Sequence, residues 1–463
     1  MKYQVKHHWM RRTLAAILAV VLTTLPTWAW AAEEGQEQQV PDSWAVGYLA
    51  DSYALGLVDD AYTTYIKSPV TMEQLKNMGE IVAEKLALLK LPQRAADNAG
   101  LVVDATRGGV ANFLYQQAAA YDLPGIEEGT IPFLTGLQVI QGDQGGDLAL
   151  DRTCTYQEAM IMANRLILAV YDANDAGSKG LLWKAVNGDN TLYLLGTIHL
   201  DRDNVYPLHK SLRDAIDAAQ TVAFEIDLND PEGIELMQNS QVYSDGTTLA
   251  DHISPELYQR VQDMAETLGL GSNGLDAYKP WALASTFSTL SMADETTSAN
   301  NIAIDAYVSA RAANAGKNIE EVETYAFQIG IFDSLSAEYQ EQYLDGSLTM
   351  LEAALDGTSD PESEQLAQEQ AEILSKMFDA WKTRNPEAFS EVYDKEAIIN
   401  SDDELNSKLF TERDPGMISA AVSYLKAEGK NTVFMAVGAG HMVEPGGIVP
   451  ELQKLGYTVE LVA

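Results

Sequence analysis

Two stretches in the second half of the chain are apolar over the length of a buried strand, Thr191-Leu-Tyr-Leu-Leu-Gly196 and Thr432-Val-Phe-Met-Ala-Val-Gly438. Both are rich in β-branched and aromatic residues, which at this length favours strand over buried helix. A third run, Thr221-Val-Ala-Phe224, ends at Glu225. Between the first and third, residues 207–220 change to the helical period. Leu208, Leu212, Ala215, Ile216 and Ala219 form the stripe of a crossover helix, which a parallel strand pair needs. His209 falls on that helix and reads as a surface residue. A helix over Ile448 to Leu455 and a strand over Tyr457 to Leu461 close the sheet. Residues 231–400 are mainly helical: Ser254-Pro255-Glu256 opens one helix with proline in its first turn, and Ile302 to Asn314 forms another that stops at Gly316. The charged, amphipathic stretch Glu362 to Ala397 reads as a solvated helical cover or lid. Residues 180–463 are therefore expected to be an α/β domain with a mostly parallel sheet and a helical cover.

Residues 40–170 follow a different pattern. A helix with Leu75, Met78, Ile81, Val82 and Leu86 on one face follows Val70-Thr-Met-Glu73. A second, with Ala159, Met162, Ala163 and Leu166, follows Thr155-Tyr-Gln-Glu158. Thr155 and Glu158 have the spacing of a capping box. This small, mainly helical domain resembles S-layer homology repeats, which hold exported proteins on cell-wall polysaccharide. It departs from their Thr-Arg-Ala-Glu element, reading Thr-Met-Glu-Gln at 71–74 and Thr-Tyr-Gln-Glu at 155–158, and arginine is the natural partner of an anionic glycan. The polar run Asp172 to Gly180 reads as the boundary between the two domains and as the expected point of proteolysis.

Residues 1–31 carry Lys2, Lys6, Arg11 and Arg12 before an apolar core from Leu14 to Leu22, then Ala29-Trp-Ala31, the layout of a secretory signal with its cleavage site. The apolar core is too short to span a bilayer, so no transmembrane helix is expected in the mature chain. With 68 acidic and 30 basic residues the formal charge is −38, which opposes binding to nucleic acid or anionic membrane surfaces. The single cysteine, Cys154, excludes an intramolecular disulfide. Together these point to an extracellular protein, secreted or cell-wall associated, and fit a Gram-positive cell exterior better than an oxidising periplasm.

His199 and His441 each lie three positions after a strand-end glycine, Gly196 and Gly438. The glycines are expected to let the backbone turn sharply as it leaves the sheet. In an open parallel sheet ligands bind beyond the carboxyl ends of the strands, so both histidines and Glu225 are expected along one edge. Two imidazoles and a carboxylate form the donor set of a catalytic metal site for Mn, Co, Fe or Zn. Taken singly, each histidine could equally be a hydrogen-bonded loop residue. Glu225 could be a ligand, the base that takes a proton from water, or a strand-end carboxylate satisfied by an amide.

The run Leu182-Trp-Lys184, Gly196-Thr-Ile-His-Leu200, Phe224-Glu-Ile-Asp227, Lys279-Pro-Trp281, Ile304-Asp305, Val322-Glu323 with Gln328, Glu412-Arg413, and Gly438-Ala-Gly-His-Met442 resembles the TraB/GumN family, which includes pheromone-shutdown proteins and Tiki metalloproteases. Two positions depart from the pattern: Asp414, where Glu-Arg-Asn is common, and Met442, where leucine is usual. Neither is expected to touch the proposed ligands. The resemblance implies an exported metal-dependent hydrolase acting on peptide or protein substrates. His199, His441 and Glu225 would be its metal residues, and Glu225, Glu323 and Arg413 its catalytic ones. Arg413 could stabilise an oxyanion, clamp a substrate carboxylate or simply pair with Glu323, and Asp305 could cap a helix. Two other functions remain open, a metal-free esterase-like hydrolase and a non-catalytic surface protein that sequesters a peptide signal.

Overall fold

The computed structural model describes residues 38–59, 61–143, 145–198, 204–292, 302–356, 361–401 and 403–463. The predicted signal, residues 1–31, and His199 lie outside the described residues. Among the described residues six strands make one sheet: β1 (Leu181–Asn187), β2 (Asn190–Thr197), β3 (Thr221–Phe224), β4 (Asn318–Glu321), β5 (Thr432–Gly438) and β6 (Thr458–Leu461). Their order is β4-β3-β5-β2-β1-β6. The three central pairings, β4 with β3, β3 with β5 and β5 with β2, are parallel, and β1 and β6 add antiparallel.

The two apolar runs are direct neighbours. Thr191 lies opposite Thr432 and the register continues to Thr197 opposite Gly438, so both chains leave the sheet at the same point. Leu192, Leu194 and Leu195 in β2 and Phe434, Met435 and Val437 in β5 are fully buried, which is why these strands are continuously apolar. The Lys210–Ala218 helix makes the crossover to β3, with Leu208, Leu212, Ala215, Ile216 and Ala219 buried. His209 is not on its surface. It is the N-cap, only 6% exposed, with its Nδ1 accepting the Ser211 amide and its Nε2 bonded to Asp175.

The glycine of the first GxxH run acts through space rather than through a turn. Gly196 lies within β2, and a Cβ there would come within 2.9 Å of the Ala439 Cα. Gly438 takes φ −51° and ψ 139°, which any residue can adopt.

The presumed solvated cover is three helices, Pro361–Lys382, Pro386–Val392 and Lys395–Ile399. Its later part is core rather than surface: Trp381, Phe389, Tyr393 and Lys395 are all buried. Trp381 Nε1 donates to the Gly196 carbonyl at 2.6 Å, fixing this cover to the first GxxH run.

In the helical region the Met72–Leu88 and Tyr156–Ala173 helices both begin with capping boxes, Thr71 with Gln74 and Thr155 with Glu158. A third helix, Arg107–Ala118, opens in the same way on Thr106, whose side chain accepts the Gly109 amide. No Glu or Gln stands at its third helical position, where the sequence has Gly109, so this start has no capping box. Arg107 reaches across to Glu158 at 2.9 Å, and Arg152 pairs with the same carboxylate at 2.5 Å.

The stretch joining the two regions is strapped down. Ser178 exchanges backbone hydrogen bonds with Pro207 and His209, and the Lys179 amide donates to Lys382. Above it, Asp51 of the helical region is buried against the Ile304–Asn314 helix. It accepts from the Tyr307 hydroxyl at 2.7 Å and from Arg311 at 2.6 Å, and Arg311 also holds Asp217. Asp305 lies in the first turn of that helix, whose N-cap is Ala303, so it is not the cap residue. Arg311→Ala would leave Asp51 facing a buried hydroxyl alone. We expect a loss of about 2 kcal/mol and an earlier, separate melting of the helical region in calorimetry. A single transition unchanged from wild type would show that this link does not couple the two regions.

Candidate active site

Glu225 and Glu323 come from neighbouring parallel strands. The Glu323 amide donates to the Glu225 carbonyl at 2.9 Å, one step beyond the β3/β4 register, and this sets the two side chains next to each other. Both residues are 8% exposed. Arg413, 2% exposed, lies against both. Its Nε donates to the two Glu323 oxygens at 2.9 and 3.1 Å, and one terminal nitrogen bridges Glu323 Oε2 at 2.7 Å and Glu225 Oε2 at 2.5 Å. Gln328, from the Tyr325–Asp333 helix, donates to Glu323 at 2.8 Å. Burial works against the guanidinium charge, but the Glu225 and Glu323 carboxylates outweigh it and hold the Arg413 pKa above its ordinary value.

The second oxygen of Glu225 accepts the Gly438 amide at 2.8 Å, which ties the carboxylate pair to the end of β5. The chain then forms the short Ala439–Met442 helix bearing His441, which is 2% exposed. His441 Nδ1 lies 2.6 Å from Asp414 Oδ1, and the other Asp414 oxygen pairs at 2.8 Å with the buried Lys395 ammonium. Burial lowers the Lys395 pKa, and Asp414 acts in the opposite direction. The Phe410 ring lies against both, 5.2 Å from the His441 ring and 4.8 Å from Lys395 Nζ.

Four of the predicted residues, Glu225, Glu323, Arg413 and His441, thus lie along one stretch of the sheet's carboxyl edge, and His199 lies outside the described residues. Glu225 is both the amide-satisfied strand-end carboxylate and an arginine partner, and the Arg413–Glu323 pair is present. Asp414, a departing position expected not to touch the proposed ligands, does touch one: it bonds His441 Nδ1 directly. Its signal was available in the sequence: it follows Arg413 at the start of a helix, where consecutive side chains diverge by about 100° and reach different neighbours. Lys395 carried no such signal, because in sequence it is one more charge on an amphipathic cover. His252 stacks on Tyr243, with the ring centroids 4.2 Å apart, and its Nε2 bonds Thr247.

Among the described residues no group of three or more His, Cys, Asp and Glu side chains is arranged to hold a metal ion. The residues nevertheless suit one. A carboxylate on Nδ1 is the usual way a ligating histidine is oriented. Glu225, Glu323 and Arg413 leave a formal charge of −1 in a buried place, where a cation would be favoured. At the same strand end Thr197 Oγ1 is buried without a hydrogen-bond partner among the described residues. Imidazole nitrogen with carboxylate oxygen is a donor set for Mn, Co, Fe or Zn.

The family model for TraB/PrgY/gumN proteins matches residues 181–461. A metalloprotease TIKI homolog from Amphimedon queenslandica is 23% identical over 326 residues, covering 62% of this chain and 62% of its own length. The metalloprotease TIKI1 of Danio rerio is 32% identical over 90 residues, 19% of this chain and 18% of its own length. The chain therefore spans less than two thirds of the curated relatives it matches. No solved structure matches.

Proposed function

Because the chain belongs to the TraB/PrgY/gumN family, we propose that it is a metal-dependent hydrolase of peptide bonds, exported from the cell by its first 31 residues. The observation that supports this most is the direct bond from the end of β5 to the Glu225 carboxylate, which joins the His441 turn to the Glu225–Arg413–Glu323 cluster. The names of the two relatives support peptide or protein as substrate. His199, His441 and Glu225 would hold the metal. When bound, such a cation supplies Lewis acidity that polarises a carbonyl and makes water nucleophilic near neutral pH.

The rest is the work of this chain's own groups. His441 contributes a ring whose Nδ1 is already committed to Asp414, so Nε2 is its remaining nitrogen donor. Glu225 either binds through an oxygen or receives the proton that water loses on attack. Arg413 holds Glu225 and Glu323 in place and would supply positive charge to a carbonyl oxygen that gains negative charge. Glu225, Glu323, Arg413 and His441 are all buried, and a low local dielectric strengthens each of these interactions.

Elemental analysis of the full chain after exposure to Mn, Co or Zn, combined with cleavage of a peptide library, tests the reading. We expect the wild type to retain a metal and His441→Ala to lose it. Glu225→Gln separates the two roles of that residue: metal lost assigns a ligand, and metal kept with cleavage abolished assigns the base. A wild type that binds none of the three metals yet cleaves peptides would replace this reading with the metal-free hydrolase.

A further inference from the structure

We propose that Lys395 is a positioning residue for this site: acting through Asp414, it locks the His441 ring in one orientation and in the tautomer that leaves Nε2 unprotonated. The inference rests on the reading of His441 as a site residue given above. A carboxylate can only accept, so the 2.6 Å contact of Asp414 Oδ1 places a proton on His441 Nδ1, and in a neutral imidazole the other nitrogen then carries the lone pair. That assignment holds only while Asp414 keeps its orientation. Lys395 secures it by occupying the second oxygen, Oδ2, at 2.8 Å.

Lys395 also donates to the Val443 carbonyl at 3.2 Å, two residues beyond His441. One ammonium therefore grips both the group that orients the ring and the backbone that carries it. Its side chain is wholly buried, and Asp414 is 8% exposed. A buried ion pair of this kind is an expensive way to fill space, since well-packed apolar residues of similar volume serve stability as well or better. Its presence at this place fits a requirement for orientation. Phe410 completes the hold by packing against both the ring and the ammonium. The cover segment that supplies Lys395 is thereby part of the site's construction.

The test reads the ring directly, without a metal. In nitrogen NMR of the full chain at neutral pH, with the His441 signals assigned by their loss in His441→Ala, the wild type should show a protonated Nδ1 and an unprotonated Nε2. Lys395→Met should mix or reverse the two tautomers and weaken Co or Mn binding about 10-fold to 100-fold. Lys395→Arg keeps a cationic donor for Asp414 Oδ2 and leaves the acceptor-only carboxylate on Nδ1–H. It should keep the wild-type tautomer, and a wild-type circular dichroism spectrum for Lys395→Met guards against misfolding. The proposal is overturned if folded Lys395→Met keeps the wild-type tautomer, or if Lys395→Arg is as disturbed as Lys395→Met. A locked tautomer in a chain that binds no metal would sustain the positioning role while removing the metal reading, so the two failures are distinguishable.

Discussion

Arg413→Ala is expected to cost about 3–5 kcal/mol of stability, because it removes the guanidinium that two buried carboxylates share. Chemical denaturation followed by circular dichroism should show the midpoint falling sharply. Arg413→Lys should rescue little, since a single ammonium cannot reproduce the side-on contact to Glu323 together with the bridge to Glu225. The informative comparison is the triple variant Arg413→Met, Glu225→Gln, Glu323→Gln. It removes all three charges and should recover most of the lost stability while remaining inactive. If the single alanine variant unfolds at the wild-type midpoint, the cluster is not the buried, mutually dependent unit described above. If the triple variant is no better than the single, shape rather than charge is what Arg413 provides.

Trp381→Ala should have an effect of similar size, about 3–5 kcal/mol, for a different reason. Trp381 is fully buried where the cover meets Gly180 and β2, and its ring lies 3.2 Å from where a Cβ on Gly180 would stand. Removing it leaves a large void under the cover and frees the Gly196 carbonyl. Trp381→Phe divides the two contributions. It keeps most of the ring's volume and loses only the 2.6 Å hydrogen bond, a change of about 1 kcal/mol. Equilibrium unfolding of the two variants measures the split. Hydrogen exchange should show the Pro361–Lys382 helix opening more readily in Trp381→Ala. Equal losses in both variants would assign the whole effect to the hydrogen bond and contradict the packing account.

The strands and the crossover helix were legible because burial imposes a period on them. Runs such as Thr432 to Gly438 are apolar on both faces, and the stripe from Leu208 to Ala219 repeats at the helical spacing. The edge of the sheet on which Glu225 and His441 would meet followed from the same strands. The role of Gly196 did not follow, because the pressure on it comes from Ala439, a residue remote in sequence. His209 looked exposed on helical periodicity alone, but one residue before the helix a histidine can cap it, and Asp175 bonds the other ring nitrogen. Lys395 and Trp381 were hidden for a related reason. In an amphipathic, charged segment a lysine reads as solvated, and only the tertiary position of Asp414 and the Gly196 carbonyl turns these side chains inward.

Arg413 and Asp414 are consecutive residues at the start of the Asp414–Lys426 helix, yet one serves the β3 and β4 carboxylates and the other serves the histidine beyond β5. A single rigid rod therefore acts like a key with two adjacent teeth. Any movement that slides or rotates this helix withdraws both teeth together, so the site is built to be whole or dismantled, with little room for partial settings. An insertion between the two positions would turn one tooth by about a quarter of a circle relative to the other. To rebuild such a centre elsewhere, the Arg-Asp step and the register of its helix would have to be transplanted as one piece.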